Sequence, residues 1–200
     1  LTVSAFGGGI SNSGTISAGD AGIAVAGSAF NASVTISTFA GGISNGGLIA
    51  VNGNTGSGIF VGGTAGAFVG NASVTVSTFG GGITNSGTIS AGNAGIMVGG
   101  LAHATSGNAS VTISIFGGGI TNSGAITATG GVGIFVGGLA SGANASVTVS
   151  TFGGGITNSG TIVANYVGIG VGGGATAGGS ITIGAFSGGI TNAAGGLITV

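Results

Sequence analysis

The string Phe-Gly-Gly-Gly-Ile-Thr-Asn-Ser-Gly occurs at Phe79 to Gly87, again at Phe116 to Gly124, and a third time at Phe152 to Gly160. A short unit cannot bury an apolar face alone, so a chain built of such units must bury each against its neighbours. The opening Phe recurs at Phe6, Phe39, Phe79, Phe116, Phe152 and Phe186, with spacings of 33, 40, 37, 36 and 34. Residues 1–200 are therefore one continuous array of about five and a half tandem repeats. Three segments of each repeat keep their pattern: Ser-Val-Thr-Ile/Val-Ser, as at Ser33 to Ser37; Gly-Ile-Ser/Thr-Asn-x-Gly-x-Ile, as at Gly82 to Ile89; and Gly-Ile-x-Val, as at Gly133 to Val136. A fourth, such as Gly99 to Ala109, varies in length and content and reads as a loop.

The fixed segments alternate with period two, the signature of strands with one buried face. Val34 and Ile36 share one face of the first segment; Ser33, Thr35 and Ser37 share the other. In the third segment the position between the constant Ile and Val is Ala24, Phe60, Met97, Phe135 and Gly170 in turn, a range of sizes that points outward. Strands this short gain a core only by stacking coil on coil, which predicts an all-β fold, a parallel β-solenoid with one coil per repeat. Equivalent residues then lie ~4.8 Å apart and the array rises ~26 Å. The competing arrangement folds each repeat into two shorter coils. Glycine fits the corners because it accepts positive φ.

Stacking gives the repeated Asn a role. Asn12, Asn45, Asn85, Asn122, Asn158 and Asn192 fall on the inward face beside a bend. Their amides are placed to form a hydrogen-bonded ladder; the alternative is that Asn serves only its tolerance of turn conformations. Retention in every repeat favours the ladder. The six Phe form a second ladder, expected as stacked rings at a corner rather than deep in the core.

Composition removes whole classes of function. The chain has 53 glycines, no Lys or Arg, no Cys, one acidic residue and one His. Nucleic acid is not an expected partner without basic residues to displace counterions, nor is an anionic membrane surface. No apolar run approaches the ~20 residues of a spanning helix, so direct membrane insertion is not expected of this segment.

The run Gly82 to Ala91, followed by Gly95-Ile96-Met97-Val98, resembles the passenger repeats of bacterial autotransporter and filamentous-haemagglutinin-like adhesins. The resemblance extends over every repeat. It implies a rod-like β-helix, secretion to the cell surface, and an adhesive or structural role, with a host or environmental surface as partner. Such adhesins include members glucosylated at Asn-x-Ser/Thr, which makes Asn31, Asn71, Asn108 and Asn144, each opening Asn-Ala-Ser, candidate acceptors. Their other reading is a polar turn leading into the strand.

Chemistry has little to work with. Asp20 and His103 are the lone carboxylate and imidazole, so a paired-carboxylate site, a triad or a metal cluster is not expected, and neither is a cofactor. The glycines at Gly117 to Gly119 lack the Lys and helix that give a phosphate loop its meaning. The outward Ser-x-Thr-x-Ser rows, centred on Thr35, Thr75, Thr112 and Thr148, form an uncharged hydroxyl face that resembles those of β-solenoid ice-binding proteins; ice or carbohydrate binding there is the alternative function. The principal expectation is a non-enzymatic extracellular fibre or adhesin stalk. The first and last segments, Leu1 to Phe6 and Gly188 to Val200, match the repeat rather than a polar cap. The expectation is a longer fibre, either by continuation of the same chain or by end-to-end strand stacking of subunits.

Overall fold

The computed structural model describes residues 1–200, all strand, turn and corner, without a helix. The chain winds into a parallel β-solenoid of six coils, one per repeat. In the third coil the strands are Ala72–Phe79, Ile83–Asn85, Thr88–Ala91 and Ala94–Ala104, and each belongs to a separate parallel sheet running the length of the rod. The first three sheets draw on all six coils. The fourth draws on coils one to five, the first giving two short strands, Ala21–Val25 and Ser28–Phe30. Like pairs with like: Val74 lies between Val34 and Val111, and Ile96 between Ile59 and Ile134. Asn85 pairs directly with Asn122, which two coils per repeat would not permit.

The apolar interior is two cores, not one column. The larger holds the Phe ring stack with Ile43, Ile83, Ile89, Ile96 and their equivalents; the smaller is built from alanine and valine, such as Ala65, Ala102, Ala109 and Val111. A glycine in the fourth-sheet strand divides them. A Cβ built on Gly100 would sit 2.9 Å from Val111 Cγ1 and collide with the Gly63 carbonyl, and Gly63 and Gly138 are hemmed in alike. Only glycine lets the first and fourth sheets approach so closely. Its neighbour Gly99 has φ +132°, a conformation that side chains avoid. Beyond this pair the sheets close mainly on alanine and valine.

The structure corrects three sequence expectations and refines one. The variable fourth segment is largely strand: Gly99 to Ala104 continue the run begun at Ala94, and length changes are confined to the corners, such as Asn52 to Gly56. A strand there is disguised in sequence by its glycines and alanines. Second, the refinement: the position between the constant Ile and Val points outward as expected, yet Met97 there is only 6% exposed, while Phe60 and Phe135, its partners in register, are half-buried. Large side chains one strand spacing apart cover each other.

Third, the Phe stack lies in the core. Phe79, Phe116 and Phe152 are fully buried, with successive centroids 4.8 Å apart. Simple alternation from Val74 and Val76 would turn Phe79 outward. Ser77 drops out of the residue pairing between Val76 and Thr78, and Ser114 does so in the next coil. This kink, shared by stacked strands, resets the alternation and sends Phe inward. Fourth, positive φ explains only part of the Gly-Gly-Gly corner, as at Gly119 and Gly155. At Gly118 the reason is proximity: a Cβ would strike the backbone of Gly81 and Gly82 one coil away.

Candidate functional site

The Asn ladder is continuous from end to end. Asn12 Nδ2 donates to Asn45 Oδ1 at 2.8 Å, Asn45 to Asn85 at 2.8 Å, and Asn85 to Asn122, Asn122 to Asn158 and Asn158 to Asn192 at 2.7 Å each. Each interior amide also donates to the carbonyl two residues on, as Asn85 does to Gly87 at 3.3 Å. The ladder and the turn are thus served by one side chain. That backbone acceptor fixes which way the amide faces, and every ladder bond points toward the C-terminal coil. Asn45, Asn85, Asn122 and Asn158 are fully buried, and no buried polar side-chain atom is left without a partner.

The hydroxyl face is the outer surface of the first sheet. Thr35, Thr75, Thr112 and Thr148 pair in register and are continued by Thr2 and Thr182. Beside them Ser73 Oγ donates to Ser33 Oγ at 2.9 Å. The third column, with Ser77 and Ser114, falls on the kink described above, so the regular surface is two columns wide.

Asn31, Asn71, Asn108 and Asn144 are exposed at the corner that joins the fourth sheet to the first. Asn31, at φ +49°, accepts hydrogen bonds on Oδ1 from the Phe68 and Val69 amides at 3.0 and 3.1 Å. Asn71 Oδ1 accepts from both the backbone and side-chain nitrogens of Asn108, at 3.1 Å each. These contacts tie one corner to the next, as the turn reading requires. On that reading the intact mass of native material is expected to match the bare sequence. Hexose increments would instead assign these amides as acceptors.

Asp20 and His103 are not brought together in a reactive arrangement. His103 Nε2 lies 3.2 Å from Thr105 Oγ1, with its ring 6.1 Å from Phe68. Asp20 borders a cleft on the outer face of the fourth sheet, near Ala24, Thr55, Ser57, Phe60 and Met97. Periodicity did not reveal this cleft, because periodicity weighs what the repeats share. The signal lay in what they do not share: Asp20 in place of Asn93, Ala24 in place of Phe60, and extra residues before Ser57. No three His, Cys, Asp or Glu side chains gather as a metal site would require. No protein family, curated protein or solved structure matches this chain.

Proposed function

We propose that the chain is a non-enzymatic rod segment of an extracellular fibre or adhesin stalk on a bacterial surface. The observation that supports this most is the uniformity of the coils. Strand pairing, the Asn ladder and the Phe stack all join each coil to the next at constant register. Backbone and amide bonds run along the rod axis, so a pull on the rod is shared by many of them. Nothing in such a pattern limits its length. A further coil that carried Asn and Phe at the same positions would gain the same bonds, whether it came from one chain or from a second subunit. The resemblance to autotransporter and filamentous-haemagglutinin-like repeats supplies the extracellular setting.

Negative-stain imaging of native material is expected to show thin, unbranched rods, and protease added to intact cells should release them. Compact particles of a single 200-residue size, or complete protection inside intact cells, would overturn the proposal.

A further inference from the structure

The outer cleft concentrates the departures from the repeat. Ser57 stands where the neighbouring coils carry Ala21 and Ala94, and the coils beyond carry Val132 and Val167. It is only 6% exposed and lines the cleft. Fully buried polar side-chain atoms all have partners, but the Ser57 hydroxyl bonds to nothing in the chain, so its remaining accessible surface opens into the cleft. Ala24 stands where the following coils place Phe60, Met97 and Phe135, and its small side chain leaves the cleft open. Asp20 supplies the one carboxylate, and Thr55 comes from the corner Asn52 to Gly56, longer than the Gly92 and Asn93 of the next coil.

We infer that this cleft binds one ring of a neutral sugar. A pyranose presents an apolar C–H face and a rim of hydroxyls. Its lining holds both kinds of partner: Phe60 and Met97 as apolar surface, and Asp20, Thr55, Ser57 and Asn93 as hydrogen-bonding groups. A mixed lining with a few placed polar groups is what small-molecule sites use. Its volume of about 240 Å³ is below the ~300–1,000 Å³ of drug-sized sites, so it suits a single ring. An anion would find no Lys or Arg in the chain. A divalent cation would find one carboxylate where it seeks several charged or carbonyl oxygens. The inference goes beyond the rod and is separate from the hydroxyl face of the first sheet.

The test is saturation-transfer NMR on the full chain with the methyl glycosides of glucose, galactose, mannose and N-acetylglucosamine as probes. Three variants import residues that other coils already hold at the same place, so each is compatible with the fold: Ala24→Phe, Ser57→Ala and Asp20→Asn. Transfer to at least one glycoside is expected. Ala24→Phe should abolish it by filling the cleft, Ser57→Ala should weaken binding about tenfold through a lost hydrogen bond, and Asp20→Asn should weaken it by replacing a charged acceptor with a neutral amide. No transfer to any of the four probes, or transfer unchanged by Ala24→Phe, would overturn the inference. Either result would leave the rod to be judged by imaging.

Discussion

Phe116→Ala is expected to lower stability by about 3–5 kcal/mol, measured as a fall in the urea midpoint. The ring is fully buried and sits between Phe79 and Phe152, with centroids 4.8 Å away on either side and planes within 1° of parallel. Removing it leaves a ring-sized cavity that stacked backbones cannot easily close, because the spacing of the coils is held by four sheets at once. It also removes two aromatic contacts, each worth about 0.5–1.5 kcal/mol beyond burial. Phe6→Ala provides the control. That ring is 42% exposed and stacks on one neighbour, Phe39, so its loss should be felt far less. Equal shifts in the two variants would show that the stack does not act as an interior core.

Asn85→Leu should cost about 1–3 kcal/mol. Leucine nearly fills the space but cannot hydrogen-bond, so Asn45 Nδ2 loses its ladder acceptor, keeping the Gly47 carbonyl, and Asn122 Oδ1 loses its donor. Both partners lie in a fully buried column where water cannot replace them. The Gly87 carbonyl loses its side-chain donor as well. Asn93→Leu, at a half-buried outer corner, should change the midpoint little. Similar losses at both positions would remove the energetic case for the ladder.

These two positions show how the fold is written in the sequence. The Asn ladder was legible because one residue type keeps one offset from a constant Ile, and stacking turns a constant offset into contact. The Phe position kept its offset equally well, yet its burial was not legible. Three glycines follow it, which marks a corner, and strict alternation from Val76 would aim it at solvent. The stacked kink at Ser77 reverses that, and kinks leave no signature in hydrophobic periodicity. The second core was hidden for a related reason. Gly62 to Ala67 has too little hydrophobic contrast to read as a strand, although alanine and glycine are what such a narrow gap between sheets admits. The cleft escaped because the residues that open it, Asp20, Ala24 and Ser57, are exceptions, each found in one coil. In a repeat protein the shared positions specify the architecture, and the singular ones are where a ligand can be distinguished.

The direction of the Asn ladder gives the rod an electrical polarity. Peptide dipoles in a sheet alternate and largely cancel, but five successive side-chain amides, from Asn12 to Asn158, aim their N–H groups the same way along the axis. An amide carries a moment of about 3.5 D, and aligned moments add. The chain has no Lys or Arg and one acidic residue with which to mask the sum. The N-terminal face of the column is therefore its carbonyl, negative pole and the C-terminal face its amide, positive pole.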